Sequence, residues 1–397
     1  MYQFSAPMPF SKALIDKLID INNEVEKSRI TSFYFSLPST CELFTIFEQY
    51  RNDFIEHSDF SFWTDLMKYS IDKGVDFIYN LNNPKNLPIE NQTFDYELEK
   101  LDILLNELRE IGVNKLRVSN HKLIAYLAQK YEHFTLYAST SFEFKLIKEY
   151  QHFIEIHPEV KQIVPSHDVN KNFELLKNLK KSAPYVDIEI MVNEGCIGGC
   201  AMRYDHSCEI MGKYIETKYS FLSNGFYGCK CGKTIDQNPL LYLCKSQIIY
   251  PWEINEYRKI GINKFKLSGR EDFKHDMEKS VNSYLLYLKG VDDVKNIGAE
   301  SINSIIHHIS QNRYFNKFKI KDIKNFLPNI KHFVKKGHLC SSKCGICNYC
   351  SNCKKRIEKA YETQFEQEKK KQMPMCVINK GLNNAKKDVS IFGTNAI

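Results

Sequence analysis

No stretch of about 18 or more consecutive apolar residues occurs, so the sequence offers no membrane-spanning helix of ordinary length. The opening residues, MYQFSAPMPFSKALIDKL, lack the basic and apolar regions of a secretory signal, and the expected compartment is the cytoplasm, with no membrane partner. There is no GxGxxG fingerprint of dinucleotide-binding sheets and no HExxH of zinc peptidases. No repeat of solenoid period is present. Charge excess is small as well: net +7 over 397 residues permits a nucleic-acid partner without arguing for one. Two features are plentiful. The 43% hydrophobic share is enough for a substantial core, and there are thirteen cysteines. In a reducing compartment, clustered cysteines are metal or cluster ligands more readily than disulfides.

Along the chain, apolar periodicity switches repeatedly between the two values that mark strands and helices. Residues 9–28 read as a helix and 32–38 as the first strand, followed by a helix over 42–53. Further strands are expected at 74–82, 115–120, 134–140, 162–168, 187–193, 246–251 and 264–270, with helices between most of them. Strands alternating with helices across short connections mean parallel pairing, and about eight strands is the number at which such a sheet closes into a barrel. The expected fold is therefore α/β, a TIM-like (β/α) barrel over 1–274 with a cysteine-rich insertion at 196–244. A basic helical region follows at 275–336, a cysteine-rich metal-binding segment with a charged helix at 337–380, and a polar tail at 381–397.

In such a barrel chemistry sits at the C-terminal strand ends. Those ends carry Asn80, Asn82, Asn120, Ser139, Thr140, His167, Asp168, Asn193, Glu194 and Arg270. Several are also good turn formers and helix N-caps, the plainer reading for Asn82, Ser139 and Asp168. Residues 187–208, DIEIMVNEGCIGGCAMRYDHSC, organise the rest. Ile188, Ile190 and Val192 point one way and Asp187, Glu189, Met191 and Asn193 the other, as on a pleated strand. The chain then turns at Glu194-Gly195 and delivers Cys196, Cys200, Arg203, His206 and Cys208. By the same parity Lys266 shares a face with Ser268 and Arg270, so Glu189 and Lys266 can pair inside the barrel.

Two cysteine groups stand apart. The first comprises Cys196, Cys200, Cys208, Cys229, Cys231 and Cys244. Its irregular spacing suits an iron–sulfur cluster gripped from several loops better than a compact zinc finger. Cys196, Cys200, Cys231 and Cys244 are the preferred ligands of a 4Fe-4S cluster, with Cys229 and Cys208 as substitutes; structural zinc or buried thiols are the alternative. The second group, HLCSSKCGICNYCSNCKKR, places Cys340, Cys344, Cys347, Cys350 and Cys353 in near-continuous CxxC steps. These steps resemble both ferredoxin loops and zinc knuckles, so a second cluster or zinc is expected there. Cys340, Cys344 and Cys347 also fit the CxxxCxxC of radical S-adenosylmethionine enzymes, but here the motif follows the last barrel strand instead of the first.

Taken together, GVNKLRVSNHKLIAYLAQKYEHFTLYASTSFE, QIVPSHDVNKNFELLKNL, VDIEIMVNEGC and GINKFKLSGRE resemble, in order, segments of peptidase family U-32. That resemblance implies a cytosolic barrel with a cluster held by four cysteines at the strand ends. Members of known role include enzymes of oxygen-independent hydroxylation of RNA bases and of quinone precursors. Cys196 matches the first cluster cysteine; Cys231 or Cys229, and Cys244, match later ones; Lys266 and Arg270 match the basic pair of the closing strand. The chain departs from the pattern at Ser268, where the family has Glu, at the short Cys196–Cys200 interval, and at His167-Asp168 in place of Arg-Glu. The expected function is redox, hydroxylation-type modification of an RNA base, a small aromatic or a peptide, with a possible electron-donor protein as partner. Glu194 or His167 would move protons, and Arg203, His206 and Arg270 would hold an anionic part of the substrate. The alternatives are a metal-dependent hydrolase and a non-catalytic, metal-stabilised binding protein.

Overall fold

The computed structural model describes residues 1–36, 60–82, 91–193, 247–249 and 251–268, with 287–288, 352 and 355 besides. Eight parallel strands close into a barrel in sequence order: β1 (Tyr2–Pro7), β2 (Ser28–Phe35), β3 (Asp76–Leu81), β4 (Lys115–Val118), β5 (Thr135–Ala138), β6 (Val160–Ile163), β7 (Asp187–Met191) and β8 (Lys264–Lys266). The described helices between them are α1 (Lys12–Glu24), α2 (Phe60–Asp72), α3 (Asn91–Glu110), α4 (His121–Lys130), α5 (Ile147–Ile156), α6 (Phe173–Ser182) and α7 (Ile254–Arg258). The expected barrel is the observed one. None of the described helices is long and apolar enough to cross a membrane. The expected segments 37–59, 194–246 and 269–397 lie outside the described residues, save for 287–288, 352 and 355.

Two strand assignments need correction. The first strand is Tyr2–Pro7, ahead of the helix expected from residue 9, and it pairs with β2 on one side and β8 on the other. Its alternation is clean, with Tyr2, Phe4 and Ala6 in the outer core and Gln3 and Ser5 lining the lumen. It is brief, and its last residue is a proline, which cannot donate to a ladder. Residues 246–251 are not a strand. Ile248 and Ile249 are both fully buried, as an apolar run suggests, but β7 pairs directly with β8 and leaves no gap for another strand. The segment instead braces the end of β7, with the Ile249 amide donating to the Val192 carbonyl at 2.8 Å.

Helix-to-strand turns reuse one solution. After α2, Gly74 (φ 82°) lets its amide donate to Ile71 and the Val75 amide to Ser70; after α3, Gly112 (φ 89°) does the same with Arg109 and, through Val113, Leu108. This paired closure satisfies the last helical carbonyls and needs a left-handed residue, hence glycine. Strand-to-helix turns use side-chain caps: Asn120 accepts from the Leu123 amide and Asn172 from the Leu175 amide.

The pleat separates two interiors. Outward residues such as Phe4, Phe33, Phe77, Leu116 and Phe265 pack against the helices in one continuous core. Inside the barrel lies a small separate apolar cluster of Tyr34, Ile78 and Tyr137. Because Phe4 is fully buried with its ring 5.5 Å from that of Phe265, Phe4→Ala should destabilise by about 3–5 kcal/mol in a denaturant titration.

A second prediction concerns acid. His121 Nδ1 lies 2.9 Å from His157 Nε2, and Glu159 sits 3.1 Å from His157 Nδ1. Burial, then the neighbouring His157 and His152, hold His121 below its ordinary value of 6.5. The unfolded chain therefore takes up a proton that the native state resists. Stability should be full above about pH 6.5 and fall as the pH drops below it, and His121→Gln should flatten that slope in pH-dependent thermal melts.

Candidate functional site

The C-terminal mouth of the barrel is where β7 and β8 deliver the organising segment, and the described residues there are firmly tied. Asn193 donates from Nδ2 to the Ser268 carbonyl at 2.9 Å, while its Oδ1 accepts from the Ser268 amide at 2.6 Å and hydroxyl at 3.1 Å. Asn170 Nδ2 donates to the Met191 carbonyl at 2.8 Å and to the Gln247 carbonyl at 3.3 Å. The Tyr257 hydroxyl in turn holds the Asn170 carbonyl at 2.6 Å. Asn193, expected as a site residue, thus joins the ends of two strands.

His167 is the expected catalytic residue that falls within the described residues. It sits in a one-turn 3-10 helix after β6, capped by Ser166, is buried, and points Nε2 at the Met191 sulfur at 3.0 Å. Sulfur is a weak acceptor, so this contact positions the ring without spending much of its hydrogen-bonding strength. Its neighbour Asp168 pairs with Lys145 at 3.1 Å, a surface role. Asn120 and Ser139 turn out to be caps, as the plainer reading for Ser139 holds. Glu194, Arg203, His206 and Arg270 lie outside the described residues. So do all thirteen cysteines, including Cys196, Cys200, Cys231, Cys244 and the Cys340–Cys353 group. Among the described residues no three His, Cys, Asp or Glu side chains gather closely enough to hold a metal.

Below the mouth, the lumen holds residues that sequence reasoning missed. Barrel interiors of this kind are usually filled by branched apolar side chains. Here Arg117 on β4 donates from Nη2 to Glu189 Oε2 on β7 at 2.5 Å, and Ser5 on β1 donates to Glu189 Oε1 at 2.6 Å. All three residues are buried. The cation that reaches Glu189 is Arg117; Lys266, the expected partner, lies with Nζ 4.5 Å from the centre of the Tyr34 ring. In the strand register Lys266 stands opposite Met191 and Ser5, while Glu189 stands opposite Lys264, two residues earlier on β8. The Arg117 guanidinium also lies 5.4 Å from the Tyr34 ring, so two cations flank one phenol, whose hydroxyl donates to the Leu267 carbonyl at 2.5 Å.

Asn80 is beside Arg117 in the register of β3 and β4. Its side-chain amide, and Nε and Nη1 of Arg117, are buried without a hydrogen-bonding partner. Groups in that state are costly and are commonly explained by a ligand or an ion. The signal available in the sequence was KLRV: an arginine between two outward apolar residues can only point inward.

The N-terminal half of the lumen is open. A cavity of about 230 Å³ runs from Asp76, Lys115 and Lys264 at the strand starts up to Tyr137 and Glu189. At its mouth Lys115 pairs with Asp76, and Lys264 pairs with Asp187 at 2.8 Å while donating to Gln162 Oε1 at 3.1 Å.

No family model and no curated protein matches the sequence. Among solved structures the chain is similar to the U32 peptidase Mk0906, with 12% identity, 55% of this chain and 83% of the other covered, and a TM-score of 0.40. It is also similar to a dihydrodipicolinate synthase family protein from Coccidioides immitis, with 7% identity, 85% and 84% covered, and a TM-score of 0.37. A third is an IMP dehydrogenase/GMP reductase-like protein from Corynebacterium glutamicum, with 7% identity, 48% and 57% covered, and a TM-score of 0.29. Likeness at this level carries no activity over to this chain.

Breaking the buried pair from one side leaves an uncompensated charge in the lumen. Arg117→Met or Glu189→Gln alone should therefore cost about 3–5 kcal/mol, and the double variant clearly less than the sum, in urea unfolding. Additive losses would mean the two side chains do not depend on each other.

Proposed function

We propose that the chain is an iron–sulfur barrel enzyme that carries out redox, hydroxylation-type modification of an RNA base, a small aromatic or a peptide at the C-terminal mouth. The observation that carries this reading is the charged lumen beneath that mouth. Arg117, fixed by Glu189, and Lys266 supply positive charge, and Asn80 and Arg117 keep polar atoms without protein partners. A barrel that served only as a scaffold gains nothing from such groups, which cost stability unless something binds them.

The thiolate set fits the proposed cofactor chemically. Cys196 follows the anchored Asn193 by three residues, and with Cys200, Cys231 and Cys244 it makes four soft donors, the number that a 4Fe-4S cluster takes. Bound there, the cluster would supply one-electron chemistry. The chain's own residues would do the rest. His167 exchanges a proton with the substrate from its buried position beside Met191, in company with Glu194. Arg203, His206 and Arg270 hold an anionic part of the substrate, and Arg117 and Asn80 receive an oxygen from below. Cys340, Cys344, Cys347, Cys350 and Cys353 would hold a second cluster or zinc, and an electron-transfer protein would exchange electrons with the bound cluster.

Anaerobic purification with iron, acid-labile sulfide and zinc analysis tests this reading. Iron and sulfide in matched amounts, with visible absorption that bleaches on reduction, are expected; stoichiometric zinc with negligible iron would overturn it. A Cys196→Ala/Cys200→Ala variant should lose only part of the metal, and Cys347→Ala/Cys350→Ala the remainder. Complete loss from either variant would contradict two independent centres.

A further inference from the structure

The cavity in the N-terminal half of the lumen is separate from the proposed chemistry, and its lining is specific. Ser32 and Tyr137, each 7% exposed, both line it. Among the described residues neither hydroxyl has a hydrogen-bonding partner, and both residues line the space. Gln162, 2% exposed, lines the same space and accepts from Lys264 at its side-chain carbonyl. Glu189 offers a carboxylate as acceptor at the ceiling, and Ile78 with the Tyr137 ring forms an apolar wall. Burial first, then the charge of Glu189, hold the Tyr137 phenol well above its usual range, so it remains a donor.

Charge selects the occupant. Asp76 is matched by Lys115, Lys264 by Asp187 and Glu189 by Arg117. Nothing in the cavity calls for an ion of either sign. What it offers is a set of hydroxyls, an amide donor and a carboxylate acceptor around a slot with one apolar side. Its 230 Å³ would hold roughly seven waters at ~30 Å³ each, the volume of a small sugar.

We infer that the N-terminal half of the barrel lumen is a second binding site, for a neutral polyhydroxylated molecule of monosaccharide size. Its hydroxyls bond to Tyr137, Ser32, Gln162 and Glu189, and its less polar face lies against Ile78. This site does not depend on the cysteines or on the reaction at the opposite mouth.

Calorimetric titration of the full chain with ribose, glucose and glycerol tests it, with sodium acetate and ammonium chloride as charged controls. One neutral probe should bind saturably with one site per chain. Tyr137→Phe, which keeps the ring and removes the hydroxyl, should weaken that binding about fivefold, as for the loss of one hydrogen bond. Ser32→Leu, which fills the space, should abolish it; if that variant does not fold, Ser32→Ala should give a loss similar to Tyr137→Phe. The inference fails if no neutral probe binds saturably, which would leave the space to water, if acetate or ammonium binds in preference, or if Tyr137→Phe and Ser32→Ala bind as the parent does. Because the titration reads binding alone, a zinc-loaded chain that still takes up the sugar would sink the redox reading and leave this one standing.

Discussion

A closed parallel sheet gives each side chain only two directions, and in this protein polarity decides between them. Most apolar residues face the helices, and most of those facing the lumen are polar or charged. The arrangement is stable only because the deepest charge is answered: Glu189 lies on the inward face of β7, and Arg117 and Ser5 reach it from across the barrel. A buried ion pair of this kind adds little net stability over a well-packed apolar filling. Its value lies in what it permits, polar and charged side chains deep inside the lumen.

That choice links packing to chemistry. Filling the lumen with branched apolar residues would leave no polar groups inside it. Here Tyr34, Ile78 and Tyr137 are the apolar minority, and the remaining space is divided between an open N-terminal cavity and a C-terminal half with polar atoms unspent on Asn80 and Arg117. The backbone beneath the C-terminal mouth is held still by Asn193, Asn170 and Tyr257, whose bonds reach main-chain atoms in neighbouring segments. Groups that must meet a substrate within a fraction of an ångström need this sort of support.

Much of the barrel was legible because its middle units obey local rules. From β3 to β7 each strand alternates or is apolar, and a glycine or a capping asparagine marks the ends of most of the helices between them. The first strand escaped notice because six residues ending in proline carry little signal alone; its identity comes from pairing with residues 264–266, far along the chain. The run at 246–251 misled for the opposite reason, since buried consecutive isoleucines look alike whether they join a ladder or brace one. In the lumen, parity revealed that Glu189 and Lys266 face inward, but it could not reveal their axial positions, which depend on strand stagger. The same parity turns Arg117 inward, between the outward Leu116 and Val118. The cysteine spacings identify a ligand chemistry without fixing which sulfurs share a centre, because tens of residues separate Cys200 from Cys231.

The place of β1 has a consequence for how the molecule is made. Gln3 stands opposite Lys264, so the two edges that close the cylinder are separated by most of the described chain. A ribosome releases the N-terminal strand long before its second neighbour exists, and during that interval one flank of Tyr2–Pro7 has no ladder to join. Contacts so distant in sequence form slowly. The serine on that strand also completes the Glu189 cradle, so the polar interior of the ring waits on the same late closure by residues 264–266.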